Sequence, residues 1–202
     1  MKSNITVYLA VEDALSEAIM NKIMKQSSNN YTIGACYGKR GKGYLKNLTQ
    51  RLNNSSGKVP FIIITDLDQD ECAPSLFKEW IPKVNNKNII LRIAVHEVES
   101  WLLAHREAFA KHLGIAAKFI PTDVDGILKP KEQLINIARR SRFRIIRESI
   151  VPKPHSTAKI GPDYNGVLSE FVYKHWDSNE ARKNSKSLNK AIEALNVFEP
   201  VD

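Results

Sequence analysis

Two kinds of apolar pattern take turns along this chain. Four short segments are apolar without alternation or nearly so: residues 5–11 (Ile-Thr-Val-Tyr-Leu-Ala-Val), the weaker 31–37, 61–64 (Phe-Ile-Ile-Ile), and 89–95 (Ile-Ile-Leu-Arg-Ile-Ala-Val). Residues 61–64, with no alternation, read as a strand buried on both faces, as in a parallel sheet covered by helices, and the other three segments read as further strands. Between them the apolar positions fall at helical spacing. Leu15, Ile19, Ile23 and Met24 share one face; so do Leu45, Leu48 and Leu52; Leu76, Phe77 and Trp80 make a third set. Strand and helix alternate in this way through residue 113, which predicts an α/β, Rossmann-like fold with a mainly parallel sheet of about four strands flanked by helices. After Gly114 no strong strand follows. The division expected is an α/β domain over 1–115 and a basic helical extension over 116–202 packed on it.

The punctuation agrees. Asp13 is a plausible N-cap for a helix to about Gln26, with Ser16 and Glu17 in its first turn. Ser27–Asn30 is a turn. Gly38-Lys39-Arg40-Gly41-Lys42-Gly43 is a basic, glycine-rich loop before a helix over about 44–54; it either contacts phosphate or is a flexible connection, and it lacks the spacing of a Walker A motif. Residues 53–58 lead into the third strand. Later helices are predicted over 74–82, from about 99 to Leu113, over 130–141, 164–175 and 178–195, with Arg142–Arg147 continuing or following the third of these. Residues 151–162, rich in Pro and Gly, form a loop. Trp80 and Trp101 read as core, Trp176 as packing between the last helices. His96 reads as a strand-end residue. His155 has no visible partner acid, which argues against a Ser-His hydrolase.

The chemistry concentrates where strands end. Glu12 closes the first strand. Asp66, Asp68 and Asp70 follow the third, in Thr-Asp-Leu-Asp-Gln-Asp, and Glu97 and Glu99 follow the fourth. In a parallel sheet these ends lie on one edge, where ligands collect. Asp66 and Asp68, two apart in an extended chain, are expected to point the same way. Six acids on one edge repel one another unless a cation or shifted pKa values relieve them. The reading is a site for Mg²⁺ or Mn²⁺, whose preferred ligands are oxygens. No His/Cys set suggests zinc. The plain alternative is an acidic β-to-α turn in which one Asp caps the next helix.

Charge sharpens this picture. The formal net charge is +8, and between Lys129 and Lys159 nine basic residues face only Glu132 and Glu148. Acidic strand ends followed by a basic segment suit a metal-dependent enzyme acting on a polyanion. Lys39, Arg40, Lys42, Lys129, Arg139, Arg140, Arg142 and Arg144 are the candidate nucleic-acid contacts; a solvated helix face or an acidic partner surface would use the same residues. The two cysteines, Cys36 and Cys72, fit neither a metal spacing nor a disulfide framework. No apolar run reaches the roughly 18–20 residues that span a bilayer, and Met1–Asn4 shows no signal-peptide pattern. The expectation is a cytoplasmic protein with no membrane partner.

These motifs, taken in order, carry a resemblance. A Glu closing strand one before a helix, then an Asp-x-Asp closing a later hydrophobic strand, resembles the TOPRIM signature of topoisomerases, bacterial primases and OLD-type nucleases. More closely, the chain resembles a bacterial TOPRIM-like family through residues 11–17 (Val-Glu-Asp-Ala-Leu-Ser-Glu), Thr65–Asp68, Glu97–Ala104, Pro130-Lys131, Gly161-Pro162-Asp163-Tyr164-Asn165 and Ser187-Leu188. The resemblance implies a metal-dependent nuclease, with Glu12 as ligand or general base and Asp66 and Asp68 holding Mg²⁺, helped by Asp70. Glu97 and Glu99 would supply a second ion position for two-metal hydrolysis, and Lys131 would stabilise charge on the scissile phosphate. It further implies a nucleic-acid substrate, DNA ahead of RNA. Because no P-loop is present, an ABC- or AAA-type ATPase would be a separate subunit, and phage defence follows by analogy with OLD-like systems. Self-association is compatible with all of this. Asp13 stands where many TOPRIM proteins have Gly, which weakens the analogy with topoisomerases. Two rival readings remain: a non-catalytic nucleic-acid- or partner-binding module, and a haloacid-dehalogenase-type phosphatase using Asp66 as nucleophile.

Overall fold

The computed structural model describes residues 4–55 and 57–201. Met1–Ser3, expected to run straight into the first strand, and Ser56 of the connection before the third lie outside the described residues. Four parallel strands form one sheet: β1 (Asn4–Val11), β2 (Asn30–Gly38), β3 (Phe61–Asp66) and β4 (Ile89–Ala94), in the order β2-β1-β3-β4. The α/β reading of the sequence is thus met. The chain moves outward from β1 to β2, then crosses to the other side for β3 and β4. The crevice between the carboxyl ends of β1 and β3 is therefore the topological switch point of the sheet.

The helices divide between the two faces. Helix α1 (Ala14–Gln26) lies on one, and its start is fixed by Asp13, whose carboxylate accepts from the Ser16 amide at 2.8 Å. Helices α2 (Lys42–Asn53) and α3 (Ala73–Trp80) lie on the other, where Leu45, Leu76 and Trp80 pack on Ala10, Ile63 and Leu91. The side chains of β1 and β3 alternate between these cores: Val7, Leu9, Ile62 and Ile64 face α1, Ala10 and Ile63 face α2 and α3. Both faces are covered, and this is why the strands show apolar runs rather than alternation.

The remaining elements enlarge the α1 side: α4 (Glu99–Ala104), α5 (Arg106–Leu113), α6 (Pro130–Ala138), α7 (Arg144–Ile150), α8 (Tyr164–Lys174), α9 (Ser178–Ala181) and α10 (Lys186–Asn196). One apolar cluster joins α1 and the strands to Trp101, Leu168, Phe171, Leu188 and Leu195, so residues beyond 116 share the core of the sheet. Two helices expected as continuous are broken. The one from 99 to 113 turns at His105, where tertiary partners bind: Asn184 donates to the Ala104 carbonyl at 2.9 Å, and the Asp177 amide donates to the His105 side chain at Nδ1, at 3.0 Å. The one from 178 breaks at a 3-10 turn over Arg182–Asn184, after which Ser185 caps a new helix by accepting from the Leu188 amide. No helix among the described residues is long and apolar enough to cross a membrane.

Trp101 ties the layers together. It is fully buried, its indole N–H donates to Ser187 Oγ at 2.8 Å, and its carbonyl accepts from the Trp176 indole at 3.0 Å. Trp101→Ala is expected to cost about 3–5 kcal/mol of stability, and Trp101→Phe distinctly less, as read by urea unfolding.

Candidate active site at the switch point

Local sequence places each carboxylate. Glu12 leaves β1 just before the α1 cap, and its Oε1 accepts from the hydroxyl of Thr65 and from the Asp66 amide at 3.0 Å. Asp66 is the last residue of β3, and its Oδ1 accepts from the Val98 amide at 3.0 Å. Glu99 starts α4. Its Oε1 accepts from the Tyr164 hydroxyl at 2.9 Å, while its Oε2, sealed from solvent, has no hydrogen-bond partner. Glu97 Oε2 accepts the Lys131 amide at 2.7 Å, at the N-terminus of α6. The Lys131 ammonium then reaches between the two glutamates, 3.5 Å from Glu99 Oε1 and 3.8 Å from Glu97 Oε1.

Glycine makes this convergence possible at one point. Gly38, at the end of β2, has φ +112°, and a Cβ there would stand 2.0 Å from the Val11 carbonyl oxygen. Only glycine lets β2 close against the end of β1, beside Glu12.

Burial sets the electrostatics. Asp66 is 9% exposed and Glu99 1%. Burial pushes the Asp66 carboxyl well above its ordinary pKa, and the charges of Glu99 and Glu12 push it further. Glu99 is raised by burial and by Glu97, against the pull of Lys131. Glu12 is raised by burial, partly offset by its bonds from Thr65 and Asp66. Burial alone would lower Lys131, but Glu99, Glu97 and Asp66 more than compensate and hold it firmly protonated. Tyr164 is held protonated by burial and by Glu99.

Asp68 and Asp70 stand apart from this inner group. The extended backbone expected to aim Asp66 and Asp68 alike ends at Asp66. Asp68 adopts φ +55°, its amide bonds the His96 carbonyl at 2.8 Å, and its carbonyl lies 3.0 Å from His96 Nδ1. The turn sends both side chains to Lys42, at 2.9 Å from Asp68 and 2.7 Å from Asp70. Lys42, read from sequence as a nucleic-acid contact, is thus their counter-ion. Beside it opens a hollow of about 410 Å³ lined by Lys46, Gln69 and Trp80 as well.

The other predicted basic residues surround the molecule more loosely. Lys39 pairs with Glu17, Lys129 with Glu132 and Arg144 with Glu148. Arg40 lies over the Tyr44 ring, Arg140 over Phe119 and Arg142 over Phe143. Arg139 is exposed and lines an open groove with Arg147 and Lys153. Sequence reasoning assigned no role to Thr65 or Tyr164. Tyr164 lay within a quoted motif, but its contact spans 65 positions and no spacing rule reaches it.

With this geometry in view, comparison with known proteins adds one fact. A family model described as "Domain of unknown function (DUF4276)" matches residues 6–195, nearly the whole chain. The chain belongs to the DUF4276 family. No curated protein and no solved structure matches it significantly. The matched span includes every DUF4276 residue just placed at the switch point.

The donor set of this DUF4276 chain suits a hard divalent cation. It consists of carboxylate oxygens, one of them buried without a partner. As the side chains stand, no three His, Cys, Asp or Glu among the described residues are clustered closely enough to hold an ion; Lys131 lies between Glu97 and Glu99, and Lys42 pairs with Asp68 and Asp70. Raised folded-state carboxyl pKa values mean that the folded protein keeps protons which the unfolded chain has released. Stability contributed by Asp66, Glu99 and Glu12 is therefore present on the acid side and is lost as pH rises from the ordinary carboxylate range through the raised values. In EDTA, Asp66→Asn keeps an acceptor for the Val98 amide. It is expected to flatten that decline and to add on the order of 1 kcal/mol at pH 7.5, measured by urea unfolding across a pH series; a less stable variant at pH 7.5 would contradict it.

Proposed function

We propose that this chain is a divalent-metal-dependent phosphodiester hydrolase, a nuclease of the TOPRIM type acting on DNA in preference to RNA. The observation that carries this reading is the burial of Asp66 and Glu99 beside Glu12 and Glu97 at the switch point, with Glu99 Oε2 unpartnered. Several buried acids in one crevice are unfavourable by themselves and are a recurring feature of functional sites. Glu12 and Asp66 would hold one Mg²⁺ or Mn²⁺, joined by Asp68 with Asp70 in support once these leave Lys42, and Glu97 and Glu99 would hold a second. When bound, such ions lower the pKa of water and neutralise charge on the phosphodiester. The protein's own groups do the rest. Thr65 and the Asp66 amide orient Glu12, whose raised pKa suits it to accept a proton from attacking water. Tyr164 orients Glu99. The Lys131 ammonium, about one third exposed on its side chain, is placed to meet a phosphate oxygen. An ATPase subunit and a role in phage defence belong to the same proposal.

A second reading is favoured by one specific observation. Lys131 and Lys42 already pair with Glu97, Glu99, Asp68 and Asp70, as they would in a binding module that uses no ion. The two readings separate experimentally. Pure protein is incubated with plasmid, linear and single-stranded DNA and with RNA, in Mg²⁺, Mn²⁺ or EDTA. A nuclease shows metal-dependent cleavage that falls about 100-fold or more in Asp66→Ala and in Glu12→Ala. A binding module shows no cleavage, no heat of Mg²⁺ or Mn²⁺ binding, and nucleic-acid binding that survives both changes. Lys131→Met gives an independent readout. Uncovering the buried acids is expected to cost about 3–5 kcal/mol in EDTA, and a chain that holds Mg²⁺ at this site regains much of it when the ion is added.

A further inference from the structure

Away from the carboxylates, a cavity of about 350 Å³ opens where α3, the outer strand β4 and α10 meet. Arg92 of β4 lies in it, with Lys186 and Lys190 of α10, and Phe77 and Leu91 form part of its apolar wall. Arg92 alternates with Leu91 and Ile93, so its side chain lies on the face of Ile90 and Ala94, toward α10. Its guanidinium is poorly provided for. The Nε is sealed from solvent without a hydrogen-bond partner, and one terminal nitrogen makes a long bond of 3.3 Å to the Leu91 carbonyl. Among the described residues no carboxylate pairs with Arg92, Lys186 or Lys190. The acid in the cavity wall, Asp125, accepts from Ser185 Oγ at 2.7 Å and from the Ser187 amide at 2.9 Å and makes no ion pair among the described residues, so three cations face one carboxylate in this cavity.

A charged residue on an edge strand commonly guards against pairing with another sheet. That role needs the charge in water, and here the Nε is shut away. A guanidinium stays protonated, and burying it without a counter-charge is unfavourable. Lys186 and Lys190, one helical turn apart, share a face and add like charge to the same cavity. The missing component is an anion, and the planar fork of an arginine matches the oxygens of a phosphate.

We propose that this cavity is a phosphate-binding site, with half-buried Arg92 and exposed Lys186 and Lys190 as its cations, and the apolar wall facing whatever group carries the phosphate. The volume is in the range of small-ligand sites. The phosphate comes either from a free nucleotide or from a nucleic-acid strand. The site does not rest on the metal reading, and its test leaves the carboxylates out by working in EDTA.

The experiment is thermal melting of the full-length chain with inorganic phosphate, adenosine monophosphate or a short single-stranded oligonucleotide, against chloride at equal ionic strength. The expected result is a saturable rise in Tm. Lys186→Gln/Lys190→Gln, two exposed changes, should weaken it about tenfold. Arg92→Met should abolish it while melting no lower than the unchanged protein in chloride, because a half-buried cation without an ion-pair partner has gone. A response to the mononucleotide as strong as to the oligonucleotide assigns the site to a small ligand; a response to the oligonucleotide alone assigns it to a strand. The proposal fails if none of the three moves Tm beyond chloride, or if the shift persists in the variants. Should Arg92→Met not fold, the lysine pair decides.

Discussion

The burial of Asp66 and Glu99 at the crevice between β1 and β3 is the constraint to which the surrounding structure answers. Each has lost most of its water, and each lies in the field of the other. A pair of this kind persists only where neighbours restore what solvation would have given. Lys131 supplies the charge, Tyr164 and the Val98 amide supply hydrogen bonds, and Thr65 holds Glu12 alongside. These partners come from four different parts of the chain. The helical half is therefore a structural component of the site: α6 brings Lys131 and α8 brings Tyr164.

The same arrangement explains why charge is sorted over the molecule. The acids gather at one sheet edge because a parallel sheet delivers its strand ends there. Two lysines hold them, one for the inner group and one for Asp68 and Asp70. Elsewhere basic residues are paired on the surface or stacked on aromatic rings, and at Arg92 a guanidinium is left without a counter-charge. A chain with net charge +8 thus sets six acids against two lysines at one sheet edge and carries its excess of positive charge elsewhere.

Much of the fold was legible because its signals are local. Asp13 before the Leu15-Ile19-Ile23 face announced the start of α1, and the cap is there. Phe61–Ile64 announced a strand covered on both sides, and it packs against two cores. The helix breaks at His105 and after Ala181 were not legible, since what interrupts them are bonds from Asn184, Asp177 and a serine cap, contacts of the folded chain. Glu12, Asp66, Glu97, Glu99 and Lys131 were each visible as residues at strand ends or a helix start. The direction of the Asp68 side chain was not legible, because it depends on a left-handed turn that residue type alone does not dictate.

The sequence by itself determined the order of strands and helices, the parallel character of the sheet and the edge on which the acids must fall. These follow from apolar spacing and from the fact that consecutive β-α units place all strand ends together. Only the tertiary structure decided which acids are buried and which cation faces each. It made Lys42 a counter-ion, joined Tyr164 to Glu99 and isolated Arg92. The reason is physical: solvation, and with it the energy of a charge, depends on what packs around a group in three dimensions, and that neighbourhood is assembled from residues far apart in the chain.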